Sequence, residues 1–156
     1  MKKVLIALDF DPSAQKVADI GFSLAKSMHA EVVLLHVLAD EFYYSALEYS
    51  PITGFTGFMD MSDKKSDSID GLKNASRQYQ NNIKHHLGDK TIQTEIKEGD
   101  FADSILSTAK EVKADIIVIG SHSRKWLENI VMGSVTEKVL RHTSIPLFII
   151  PTKKPD

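Results

Sequence analysis

The feature that most constrains this chain is a strict alternation of short apolar runs with stretches of helical period. KVLIALD, from Lys3 to Asp9, is continuously apolar and ends on an acid, and AEVVLLHVL, from Ala30 to Leu38, is a second such run. Runs without alternation are what parallel strands buried on both faces require. Between these two, Ala14, Val17, Ala18, Gly21, Leu24, Ala25 and Met28 recur at spacings of three and four, one face of a helix. Ser13 or Asp11 is placed to cap its start.

The pattern continues. From about Leu72 to Leu87 a helical face carries Leu72, Ala75, Tyr79 and Ile83, with Gly88 in position to close it. TIQTEIKEG then alternates apolar and polar residues, as an edge strand does. DFADSILSTAKEV reads as a helix with Ala102, Ile105, Leu106 and Ala109 inward. ADIIVIG is a strand, SVTEKVLRH a helix and IPLFII a last strand. The order β-α-β-α-β-α-β-α-β predicts one doubly wound α/β domain over residues 1–156, a Rossmann-like five-stranded parallel sheet with helices on both faces. Ligands of such sheets bind outside the carboxyl ends of the strands, where strand order reverses. That rule singles out Asp9, Val37 and the residues after Gly120.

Composition narrows the function classes. A net charge of -2 without a basic stripe gives no footing for nucleic acid. No apolar segment approaches the roughly 20 residues of a membrane helix, and the Val4–Leu8 run is too short for a signal-peptide core. With no cysteine, disulfides, thiolate metal sites and cysteine nucleophiles are excluded, and a cytoplasmic location is expected. One stretch breaks the alternation: residues 40–70 hold six of the twelve aromatics and seven acids without a clean period. A connection that long in a compact domain is usually functional or disordered. It reads either as a surface excursion covering a flank of the core or as a lid or protein-contact element.

Common nucleotide signatures are missing. No GxxxxGK[ST] occurs, no GxGxxG follows a strand, and no GxSxG elbow is present. His85 and His86 are adjacent, about 100° apart on a helix, and unsuited to chelating one ion. The stretch GSHSRKWLENIVMGS, Gly120 to Ser134, is more informative. Gly120 ends a strand where a backbone can turn and approach a ligand closely. Ser134 followed at the third place by Glu137 reads as a capping box and marks a helix start. Helix starts present free N–H groups and partial positive charge to an anion. A capping box, however, satisfies its own helix, and Glu137 turned back on the cap would repel phosphate.

The spacing Gly120-Ser121-His122-Ser123, nine residues, then Gly133-Ser134-Val135-Thr136 resembles the motif of the universal stress protein family. The resemblance extends over nearly the whole chain, through VLIALDFDPSA, LLHV, ADIIVIGSHS and SIPLFII. It implies an adenine nucleotide, ATP or ADP with Mg2+, held along the carboxyl edge of the sheet. The base would lie near Asp9 and the backbone of Val37. Ribose and phosphates would lie against Gly120, Ser123, Gly133, Ser134, Val135 and Thr136, with Ile119 or His122 lining the cleft.

The resemblance further implies a homodimer paired through the last strand, Pro146 to Ile150, and a nucleotide-dependent stress-response switch. No catalytic base is evident, so any ATP hydrolysis is expected to be slow. The alternative is a family member that binds no nucleotide and acts as a scaffold for a protein partner through residues 40–70. The departure is Ser123, where the motif has its second glycine. A positive φ there would cost serine of order 1 kcal/mol. Its hydroxyl could offset this by donating to phosphate, or its Cβ could occupy a phosphate oxygen's place.

Overall fold

Strand and helix alternate in the structure as they do in the sequence: β1 (Lys3–Leu8), α1 (Ala14–Ser27), β2 (Glu31–Leu38), α2 (Ser68–Leu87), β3 (Gln93–Glu98), α3 (Phe101–Glu111), β4 (Ile116–Gly120), α4 (Ser134–His142) and β5 (Leu147–Ile150). The computed structural model describes residues 2–8, 13–38, 68–121 and 133–152, the backbone alone for 68–70. The aromatic-rich stretch up to residue 67, together with Asp9, Asp11, His122 and Ser123, lies outside the described residues.

The five strands form one parallel sheet in the order β3-β2-β1-β4-β5. The chain steps outward from β1 through β2 to β3, then crosses back to the other side of β1 for β4 and β5. Strand order therefore reverses between β1 and β4, whose register pairs Val4 with Ile116 and Ile6 with Val118. The alternating TIQTEIKEG run is the edge strand expected, with β3 paired only to β2.

Side chains of β1 divide between two cores because successive residues of a strand point to opposite faces. Val4, Ile6 and Leu8 pack with Ala14, Val17, Ala18 and Ala25 of α1 and with Ile83 of α2. Leu5 and Ala7 pack with Ala102, Ile105 and Ala109 of α3 and with Val139 of α4. The apolar periodicity of each helix thus selects its sheet face. Gln80, buried in α2, donates from Nε2 to the carbonyls of Leu34 and Glu95 at 3.2 and 2.9 Å, fastening the helix across β2 and β3.

Two of the helix-to-strand turns share one construction. After α1, His29 has φ 55° and Ala30 N–H donates to Ala25 O; after α3, Lys113 has φ 57° and Ala114 N–H donates to Ala109 O. His29 and Lys113 also donate to the carbonyls of Lys26 and Lys110. Both are Schellman closures built on residues other than glycine. Gly88 closes α2 with φ 73°, as its place in the sequence predicts.

Candidate functional site

Strand order reverses between β1 and β4, whose carboxyl ends lie side by side. Pairing of β2 with β1 ends at His36, opposite Leu8, whereas pairing of β2 with β3 runs on through Leu38. Val37 therefore sits just beyond the last described β1–β2 pair. Ala7, Val37 and Ile119 belong to one buried cluster, which also holds Phe101 at the start of α3 and Val135 at the start of α4. Three carboxyl strand ends and two helix starts meet there over an apolar floor. Ala7 and Phe101 are absent from the sequence-derived set, and no motif marks them.

Gly120 carries two structural duties. A Cβ built on it would meet Thr152 Cγ2 at 2.9 Å and Val17 Cγ2 at 3.2 Å. The position needs glycine because α1 and the residue two past β5 close over it. The Gly120 carbonyl accepts from Thr136 Oγ1 at 2.8 Å, and Thr136 is buried. The side chain of Thr136 is thus engaged within the protein, and what it can offer a ligand is its backbone N–H. The connection after Ser121 is closed at its base, where Gly133 N–H donates to Ser121 O at 2.7 Å.

The capping box expected at Ser134 is not formed. The N-cap of α4 is Gly133, with φ -66° and ψ 155° and no side-chain cap hydrogen bond, so Ser134 is the first helical residue. Glu137 does not turn back on the helix start; its carboxylate accepts from Arg141 Nη2 at 2.7 Å, one turn on. Among the described residues no side-chain oxygen caps the first amides of α4, and the charge expected to repel an anion points elsewhere. Gly133 adopts a conformation open to any residue, so a glycine is not required there by the backbone.

The neighbouring helix start is arranged in the opposite way. Asp100 caps α3 by accepting from Asp103 N–H at 2.9 Å, and it also binds Lys138 of α4 at 3.1 Å. The Asp103 N–H bond first, and Lys138 after it, hold the Asp100 carboxyl below the usual carboxylate range. A capped, carboxylate-bearing start repels phosphate; an uncapped one attracts it. The helix α1 starts without a cap bond from Ser13, which leaves the expected serine cap unmade. That start follows Asp9 and Asp11 in sequence, whereas the eight residues before Gly133 contain only one acid, Glu128.

Beside Val37, on the opposite face of the sheet, His36 is buried with Nδ1 hydrogen-bonded to Ser76 Oγ of α2. Its ring lies 6.2 Å from that of Tyr79. Burial pushes its pKa down from 6.5 to about 3, so it is neutral at physiological pH. Among the described residues no group of three or more His, Cys, Asp or Glu side chains could hold a metal ion, and no helix is long and apolar enough to cross a membrane.

The structure thus brings Val37, Ile119, Gly120, Gly133, Ser134, Val135 and Thr136 to one edge of the sheet, while Asp9, His122 and Ser123 lie outside the described residues. Comparison with known proteins gives this edge a context. The model of the universal stress protein family matches residues 1–151. Universal stress protein YxiE of Bacillus subtilis is 28% identical over 151 residues, covering 95% of this chain and 97% of that protein. Universal stress protein MJ0577 of Methanocaldococcus jannaschii is 28% identical over 156 residues, covering 97% and 96%. The solved structure of MJ0577 superposes with a TM-score of 0.74 over 99% of this chain and 98% of its own. A universal stress protein solved in complex with cAMP, 19% identical, shares the fold at a TM-score of 0.61 with 97% of each chain covered. The architecture and these matches agree: the chain belongs to the universal stress protein family.

Proposed function

We propose that this protein binds an adenine nucleotide at the carboxyl edge of β1, β2 and β4 and works as a nucleotide-dependent switch in a stress response. The observation that carries the reading is the start of α4, which no side chain among the described residues caps, set at the reversal of strand order beside a neighbouring helix start that is capped by a carboxylate. Phosphates would lie against the amides of Ser134, Val135 and Thr136, with Gly133 giving close access and Gly120 and Ser123 on the facing turn. The base would lie over the apolar floor near Val37 and Ile119, read by Asp9 and the Val37 backbone, with His122 at the rim. The family member solved with cAMP supports an adenine nucleotide as the ligand class.

A divalent ion such as Mg2+ would rest mainly on the phosphates, since the described residues offer no carboxylate cage. The same arrangement favours binding over turnover: Glu137, the acid in the first turn of α4, is engaged by Arg141. The protein would act in the cytoplasm. A second copy would pair along β5, an edge strand on which Phe148 is 39% exposed. Isothermal titration with ATP, ADP and AMP, with and without Mg2+, tests the reading. Saturable binding is expected, and no heat at high micromolar protein overturns it. Ser123→Gly should tighten binding about fivefold if the serine is strained there.

A further inference from the structure

Ser121, the first residue past β4, joins three segments with its polar groups. Its N–H donates to Ile150 O at 2.8 Å, and its carbonyl accepts from Gly133 N–H at 2.7 Å. Its hydroxyl oxygen accepts from Thr152 N–H at 3.0 Å, with the Thr152 hydroxyl 3.5 Å away. The residues just past β5 are held from the other side as well. Lys16 Nζ donates to Pro151 O at 2.9 Å, and the Thr152 methyl sits in the slot left open by Gly120.

We infer that Pro151–Thr152, acting through Ser121, is the clamp that holds Gly133 and the start of α4 against the end of β4, which makes Ser121 and Thr152 positioning residues of the nucleotide site. This rests on the reading given under Proposed function. A loop's ends are costly to hold together unless something fixes them. The Gly133–Ser121 bond fixes the spacing only while Ser121 is itself immobile, and Ile150 and Thr152 immobilise it. Releasing the hydroxyl contact loosens Ser121 and, through it, Gly133, so a nucleotide must order the start of α4 on binding and binds more weakly.

The test uses Ser121→Ala, which removes the acceptor, Thr152→Pro, which removes the donor, and the double variant. Two quantities are measured in the full chain: ATP affinity by titration, and hydrogen exchange of the Gly133 amide without nucleotide. Ser121→Ala should weaken ATP binding about fivefold, the worth of one hydrogen bond, and Thr152→Pro, which also removes the methyl beside Gly120, at least as much. The double should be no worse than the poorer single, because both remove the same contact. All three should exchange faster at Gly133, whose amide is bonded to Ser121 O. Affinity within twofold of the parent, additive losses in the double, or unchanged exchange would each overturn the clamp. Should Thr152→Pro fail to fold, Ser121→Ala decides alone by the same two readouts. If the parent binds no nucleotide, the reading of the site fails, and exchange in Ser121→Ala still supports or overturns the clamp.

Discussion

The Thr136 hydroxyl donates to the Gly120 carbonyl oxygen across 2.8 Å, tying the first turn of α4 to the end of β4. A threonine that the family motif places at the phosphates therefore acts as a strut between the strand and helix that frame them. Thr136→Val keeps the shape and removes the donor, so the part-buried Gly120 carbonyl loses this bond. The expected cost is about 1–2 kcal/mol of stability, with Thr136→Ser close to the parent. Urea denaturation of the three proteins measures it, and equal midpoints would remove the strut.

Gly133 offers a prediction in which stability and binding move in opposite directions. Its φ of -66° suits a serine, whose hydroxyl would cap the open amides of α4. Gly133→Ser should gain a few tenths of a kcal/mol in stability while weakening ATP binding, because the new cap competes for the phosphate donors. Thermal melts alongside titration check this. Unchanged ATP affinity would place the phosphates elsewhere.

Gly21 is a helix-interior glycine, where alanine ordinarily stabilises by about 1 kcal/mol. Here an added Cβ would come within 2.8 Å of Ile6 Cδ1 and 3.2 Å of Val118 Cγ1, both in the buried core. Gly21→Ala is expected to lose about 1–2 kcal/mol net as α1 is pushed off the sheet. A raised melting temperature would show that the core yields more easily than this.

Lys113 is the reverse case, a lysine at φ 57° closing α3 where glycine is the usual residue. Lys113→Gly relieves the left-handed strain and, against it, enlarges the entropy of the unfolded chain. A net gain of about 0.5 kcal/mol is expected from chemical denaturation, and a loss would show that the lysine side chain supports the turn.

His36 predicts a pH dependence. Its pKa is 6.5 when unfolded and about 3 when folded and buried. Between these values the unfolded chain binds a proton that the native state refuses. Stability is therefore full above about pH 6.5 and falls as pH drops toward 3, by about 1.4 kcal/mol per unit. Denaturation from pH 7.5 to 5 should show this slope near its acid end, and His36→Gln should flatten it. An identical slope in the variant would mean that other groups account for it.

Class and order of elements were legible in the sequence because periodicity is a local property. The continuous runs KVLIALD and ADIIVIG could only be buried on both faces, and α4 spans the same nine residues as the SVTEKVLRH segment that announces it. The closures at His29 and Lys113 were not legible, since neither residue type signals a left-handed turn. The candidate site was legible in outline through one spaced motif. Its internal roles were not: Ser134 followed by Glu137 has the letters of a capping box, yet Gly133 is the cap and Glu137 binds Arg141. Ser121 and Thr152, 31 positions apart, carry no local signal of their contact.

The sequence by itself determined the α/β class, the order of its elements, and the family to which the Gly120–Thr136 motif points. Only the tertiary structure decided which helix starts are capped, why position 120 must be glycine, and what holds the turn beyond β4. The physical reason is that hydrophobic period is set by neighbours along the chain. A hydrogen-bond partner or an occupied side-chain slot is set by atoms that only the folded sheet brings together.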